Sequence, residues 1–183
     1  SDQKTLHGRY ERTEKFARVE GFYSNGRQDG IWTEYNTMRG KYIRVQGPFK
    51  DGLRNGLWSM YSSRKKLKSK GYYKDDLRTG FWRFYNAQGE VESEGYYANG
   101  QRSGKWSFYN SNAEVEQEYD YTTKNIVRDN SLDALLQKKF RVIDGADTTT
   151  TELQRPPLYI GGKSKMSQAK TIQFRVKMDS LKE

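Results

Sequence analysis

Two kinds of side chain in this sequence are spaced as if for chemistry: carboxylates at alternate positions and lysines in a run. Glu90, Glu92 and Glu94 alternate, as do Glu114, Glu116 and Glu118. Neighbouring carboxylates of this kind are able in principle to share acid–base work. Lys66, Lys68 and Lys70 alternate in the same way inside a dense basic run from Arg64 to Lys74. The other reagents of enzyme chemistry are scarce. His7 is the only histidine and there is no cysteine, which removes disulfides and thiolate and His-based zinc sites and argues against His-dependent general-base catalysis. No nucleophile–base pair, phosphate loop or metal cluster is legible, so no catalytic residue, metal, cofactor or small-molecule substrate is assigned. The recurrence of the carboxylates marks them as surface rows.

The elements that position these residues follow from an internal repeat. Gly71-Tyr-Tyr-Lys-Asp-Asp-Leu-Arg-Thr-Gly-Phe-Trp-Arg-Phe-Tyr-Asn86 recurs 24 residues later from Gly95 to Asn110. Related blocks start at Gly47 and at Gly21, and a fifth start at Tyr119-Asp-Tyr121 loses the glycine and the Gly-x-Trp element. Asn25-Gly26, Asp51-Gly52, Asp75-Asp76 and Asn99-Gly100 are turn dipeptides suited to positive φ. A second glycine (Gly30, Gly56, Gly80, Gly104) is expected to close that turn before a Trp/Tyr strand. Alternation between such turns predicts antiparallel strands in an up-and-down meander. The expectation is a mainly β fold: a single-layer antiparallel meander of roughly 24-residue β-hairpin repeats with a small α+β C-terminal cap. Residues 1–20 form a degenerate half repeat, 21–121 four repeats and the start of a decayed fifth, and 122–183 the cap or a small subdomain.

Alternate residues of a strand face opposite sides. Trp32, Trp58, Trp82 and Trp106, with Met60, Phe84 and Phe108, therefore share one face. Ile31, Leu57 and Phe81, with Tyr35, Tyr61, Tyr85 and Tyr109, take the other. The tryptophan stripe reads as structural core stacking repeat on repeat, and the alternative is an exposed aromatic groove. Positions five, three and one before each repeat start make a charge row. It runs through Phe16, Arg18, Glu20, then Tyr42, Arg44, Gln46, then Lys66, Lys68, Lys70, then the two glutamate triplets, with Arg83 on the intervening strand placed to help the lysine row meet the first glutamate row. Solvated charges that blunt a flat sheet, a polarised docking surface and a weak cation site on the Glu rows all fit that row.

Composition agrees with thin β structure. Hydrophobic residues make up 33%, yet there are 14 Tyr, 8 Phe, 4 Trp and 17 Gly, and mean hydropathy is −1.09. The net charge of +10 is shared about equally by residues 1–120 and 121–183. No apolar run approaches the roughly 18 residues of a membrane span. The start at Ser1 without an initiator Met is compatible with a trimmed leader, on which reading the expectation is an exported protein, and equally with a start chosen for other reasons.

The repeat unit resembles MORN-type repeats, most closely the bacterial MORN-variant family that includes YwqK-type antitoxins. The resemblance implies a hairpin sheet acting as an interaction scaffold, in a periplasmic, envelope-associated or secreted protein, or in a cytoplasmic one if it neutralises a toxin. It brings no catalytic site. The expected partner is another protein; an anionic membrane surface or nucleic acid is the alternative that the charge permits.

Beyond Tyr121, Ser131–Phe140 is expected as a short helix, Phe140–Ile143 as a brief strand, Asp144–Arg155 as a loop and Thr171–Met178 as a half-buried strand. Pro156–Gly162 resembles the Pro-rich, Gly-Gly lead-in of TonB C-terminal domains. Too few residues follow Gly162 for that domain, which leaves a terminal cap as the other reading.

Overall fold

The computed structural model describes residues 5–38, 40–130, 139–144 and 147–152. Among these there is no helix. The strands are β1 (Gly8–Thr13), β2 (Ala17–Ser24), β3 (Arg27–Asn36), β4 (Tyr42–Lys50), β5 (Leu53–Arg54), β6 (Gly56–Tyr61) and β7 (Leu67–Lys74). They continue with β8 (Leu77–Tyr85), β9 (Val91–Ala98), β10 (Gln101–Tyr109), β11 (Val115–Asp120), β12 (Asn125–Asp129), β13 (Lys139–Asp144) and β14 (Asp147–Glu152). β1 to β12 form one open 12-stranded antiparallel sheet in sequence order, with the short β5 beside β4; β13 and β14 pair separately. The expected meander of hairpins is the fold.

The hairpin tips are two-residue turns in which both residues have positive φ, at Asn25–Gly26, Asp51–Gly52, Asp75–Asp76 and Asn99–Gly100. That geometry matches strand twist and favours Asn, Asp and Gly. Each tip is also tied to the repeat before it. Gly52 N donates to Gln28 O at 2.8 Å, Asp76 N to Arg54 O at 3.1 Å, and Gly100 N to Arg78 O at 2.9 Å. Asp76 stands where the other tips have glycine. Its carboxylate accepts from the Arg54 backbone N at 3.0 Å and from Arg54 Nε at 2.7 Å, which offsets the strain of its φ of 66°.

The second glycine of the repeat does something other than close the turn. β3, β8 and β10 run unbroken through Gly30, Gly80 and Gly104. Pairing with the preceding strand jumps there: Tyr72 opposes Thr79 while Gly71 opposes Trp82, leaving Gly80 and Phe81 extra. Gly30, Gly56, Gly80 and Gly104 all have positive φ. They are bulge residues, and the bulge exists on one side only, since Gly80 and Phe81 pair regularly with Tyr97 and Tyr96 on the following strand.

This bulge seats the tryptophan. The indoles of Trp32, Trp58, Trp82 and Trp106 lie against Gly21, Gly47, Gly71 and Gly95 on the preceding strand. A β-carbon at any of these glycines would fall under 3.0 Å from ring atoms. Each indole N–H donates to the carbonyl one residue past that glycine: Phe22 at 3.1 Å, Pro48 at 3.0 Å, Tyr72 and Tyr96 at 2.9 Å. A buried indole N–H needs such an acceptor. Trp82 and Trp106 are fully buried although each belongs to a single sheet layer.

Phe49, Tyr73 and Tyr97 sit between successive indoles and Tyr121 beyond the last, edge-on at centroid distances of 5.1 to 6.0 Å. Pairs of this geometry contribute about 0.5–1.5 kcal/mol each beyond area burial. Arg54, Arg78 and Arg102 lie over the rings: Arg54 is 4.1 Å from the Tyr73 centroid, Arg78 is 4.7 Å from Trp82, and Arg102 is 4.3 Å from Trp106. Their stems and planar heads cover the aromatic face in place of a second sheet.

At the ends the pattern lapses in a telling way. Tyr119 opposes Trp106 where other repeats place glycine, and the position eleven residues on, which holds tryptophan in the repeats, is Asn130. Glycine and tryptophan are lost together. At the other end Tyr10 of β1 opposes Gly21 and stacks 5.6 Å from Trp32. The half repeat at residues 1–20 thus supplies one strand and one ring. The sheet continues past Tyr121 through β12, so a boundary at 121 falls at the β11–β12 turn.

In the C-terminal part, the strand expected at Phe140–Ile143 is present within β13. The expected loop Asp144–Arg155 instead contains β14, whose four consecutive threonines pair with β13 from Phe140 to Ile143. β-branched residues favour this extended state over a loop. The last two residues of the expected helix, Lys139 and Phe140, begin β13; residues 131–138 lie outside the described residues. So do Pro156–Gly162 and the strand expected at Thr171–Met178.

Candidate interaction surface

With the tryptophan face filled by its own rings, the opposite face is the one offered outward. Registers place a continuous polar row across it: Glu20 opposes Thr33, Thr33 Gln46, Gln46 Ser59, Ser59 Lys70, Lys70 Arg83, Arg83 Glu94, Glu94 Ser107, and Ser107 Glu118. Six of the residues singled out from the sequence therefore meet in one row: Glu20, Gln46, Lys70, Arg83, Glu94 and Glu118.

Arg83 Nε reaches Glu94 Oε2 at 2.6 Å, one half of the bridge expected of it; its neighbour on the other side, Lys70, carries the same charge. Its guanidinium pKa is raised, first by that hydrogen bond and then against the desolvation that lowers it. Tyr109 Oη donates to the other Glu94 oxygen at 2.6 Å. Burial first, and Glu94 next, push the Tyr109 phenol up to about 12. Glu118 is buried and held by Lys105 Nζ at 3.0 Å and Arg128 Nε at 3.7 Å.

The other members of the triplets go elsewhere, because the row does not alternate uniformly. Pairing shifts by one residue between Phe84 opposite Ser93 and Tyr85 opposite Val91, so Glu92 is a bulge residue. Lys68 and Glu116 occupy the same place in their strands, and Glu116 is buried. Glu90 and Glu114 precede their strands and close turns. Asn86 Nδ2 donates to Glu90 and Asn110 Nδ2 to Glu114, each at 2.9 Å. Lys66 is likewise a turn residue, its Nζ donating to the Gln88 carbonyl of the next turn at 2.5 Å. The picture of three charges per repeat on one face is thus replaced by one ladder residue, one bulge residue and one turn residue.

Beside the polar row lies an apolar stripe. Ile31 opposes Pro48, Leu57 opposes Tyr72, and Phe81 opposes Tyr96; Phe22 of β2 stands at its start. Phe22, Ile31, Leu57, Tyr72, Phe81 and Tyr96 are 36% to 59% exposed, more than scattered surface hydrophobics would explain. Alternation already placed Ile31, Leu57 and Phe81 on this face, but Phe22, Tyr72 and Tyr96 were missed. Their signal was the aromatic immediately after Gly21, Gly71 and Gly95, where Gly47 is followed by Pro48. On the tryptophan face the arginine cover of Arg54, Arg78 and Arg102 was missed too, although those residues recur at the repeat interval.

No group of three or more His, Cys, Asp or Glu able to hold a metal ion occurs among the described residues. No helix among them is long and apolar enough to cross a membrane.

The chain matches no protein-family model and no curated protein. Among solved structures it is similar to a crystal structure of TarM, with TM-score 0.38 and 13% identity over 70% of this chain and 22% of that one. A point mutant of S. aureus TarM, in complex with fondaparinux, alpha-GlcNAc-glycerol and UDP, aligns with TM-score 0.34 and 11% identity, covering 70% of this chain and 23% of that one. This chain spans less than a quarter of the TarM chains it matches, and likeness of this degree transfers no activity to it.

Proposed function

We propose that the protein is a non-enzymatic repeat scaffold that binds another protein on the face opposite its tryptophans. One observation carries this reading: the exposed stripe from Phe22 to Tyr96 runs across successive strands of a sheet whose other face is already filled by aromatic packing. A rigid, one-sided apolar stripe with a charged border has the make-up of an interaction patch, apolar at its centre and polar at its rim. The resemblance of the repeats to MORN-type units supports a scaffold role. With it come an exported or envelope-associated setting and, as the second form of the same role, neutralisation of a partner protein.

The test is site-specific photo-crosslinking in the native host, with the probe at Tyr72 on the stripe or at Arg78 on the tryptophan face. Protein adducts are expected from position 72 and not from position 78. Adducts to lipid or nucleic acid from Tyr72, or equal protein adducts from both positions, would overturn the reading.

A further inference from the structure

We infer that the occupant of the stripe is an acidic amphipathic helix lying across the strands, its apolar side on Leu57, Tyr72, Phe81 and Tyr96 and its carboxylates on Lys50, Lys70 and Lys74. The inference rests on the scaffold reading and adds the partner's chemistry to it.

Charge supplies the first argument. The carboxylates of the polar row are already engaged: Glu20 by Arg18 and Lys41, Glu94 by Arg83, Glu118 by Lys105 and Arg128. Among the described residues, Lys50, Lys70 and Lys74 have no ion-pair partner, and all three are exposed. Lys70 stands in the polar row on one side of the stripe. Lys50 and Lys74 stand on the other, at the hairpin tips, where they oppose Leu53 and Leu77. Near its middle the stripe is therefore bordered on both sides by lysines that no carboxylate holds. An acidic partner neutralises that charge, whereas a basic one is repelled.

Dimensions supply the second. Stripe residues on adjacent strands are about 4.8 Å apart, close to the roughly 4.5–6 Å rise between helix positions i and i+3 or i+4. A helix perpendicular to the strands thus meets one stripe residue per turn. From Phe22 on β2 to Tyr96 on β9 there are six inter-strand steps, about 29 Å, the length of a helix of about 19 residues. An extended peptide repeats its side chains at about 6.6 Å per pair, which falls out of step within a few strands.

Composition supplies the third. Ile31, Pro48 and Leu57 interrupt the aromatics with aliphatic groups on which a nucleobase cannot stack.

Fluorescence binding to the full chain decides the matter with three probes. They are a synthetic peptide of about 20 residues with Leu at i, i+3, i+4 and i+7 and Glu beside them, the same peptide with each Glu replaced by Lys, and an oligothymidylate of matching length. Wild type is expected to bind the acidic peptide at least tenfold more tightly than either other probe. Lys70→Glu/Lys74→Glu and Tyr72→Ser/Tyr96→Ser are each expected to weaken that binding at least tenfold. These positions are exposed, and the melting curve of each variant checks that it is folded. Equal binding of the two peptides, tighter oligothymidylate binding, or folded variants that bind like wild type would overturn the inference. If crosslinks from Tyr72 still capture a cellular protein while the acidic peptide fails, the helix inference falls and the scaffold reading stands.

Discussion

The indole of Trp82 lies on the backbone of Gly71, in space that any β-carbon at that glycine would need. The pair is one lock: the glycine makes room, and the carbonyl of Tyr72 takes the indole N–H at 2.9 Å. Trp82→Ala is expected to lower unfolding free energy by about 3–5 kcal/mol, and Gly71→Ala by about 1–3 kcal/mol through overpacking. Urea denaturation of both and of the double variant checks this, with a double-variant loss smaller than the sum. An unchanged midpoint for Gly71→Ala would show that the indole does not rest there.

Ala113 has a φ of 60° in the turn where the preceding repeat has Gly89, whose φ is 91°. Both residues donate their N–H to the asparagine that opens the loop, Asn110 and Asn86. A left-handed alanine costs about 1–2 kcal/mol, partly offset by the entropy that glycine loses on folding. Ala113→Gly is therefore expected to raise the thermal midpoint, by up to about 1 kcal/mol of stability, and Gly89→Ala to lower it. Calorimetry on the two variants reads opposite signs.

Asp76 is held below its usual range, first by its hydrogen bond to the Arg54 side chain. A carboxyl depressed in the folded state contributes stability above its unfolded pKa and loses it as pH falls through the folded value. The pair is partly exposed, so screening keeps the contribution under about 1 kcal/mol. Acid unfolding of Asp76→Asn should show a shallower loss below the ordinary Asp range than wild type. Coincident profiles would remove the pair from the balance.

Tyr109 gives the opposite window. Its phenol is pushed up to about 12, by burial first and then by Glu94. The unfolded chain ionises near the ordinary tyrosine value, so this contribution is complete below about pH 10 and is lost as pH rises through the folded value. Ultraviolet titration of phenolate should show a late-ionising tyrosine that vanishes in Tyr109→Phe. If the late component persists in that variant, another tyrosine carries it.

Much of the fold was legible in the residues themselves. The turn dipeptides at Asn25, Asp51, Asp75 and Asn99 and the alternation through Trp82 and Phe84 depend on local geometry alone, so they placed the hairpins and sorted the faces. The role of Gly71 was not legible, because it depends on Trp82 being its cross-strand neighbour; the constant spacing from each such glycine to its tryptophan was the available signal. Alternation failed for Glu90 and Glu92 for a related reason. A turn fixed by Asn86 absorbs the first and a bulge the second, and neither leaves a mark in period-two counting. The burial of Glu118 was hidden in the same way, since Lys105 and Arg128 reach it from neighbouring strands.

Each repeat carries both halves of the same joint, a glycine to receive one indole and an indole to cover one glycine. Every joint reaches only to the strand beside it. Width is therefore a matter of copy number. Duplicating one block adds two strands, or about 10 Å, without redesigning anything already present, and the series of joints ends where a bulky residue such as Tyr119 takes the glycine's place, with only β12 paired beyond it. The glycines graduate the sheet like marks on a ruler, and the reach of its outer face is written in how many there are.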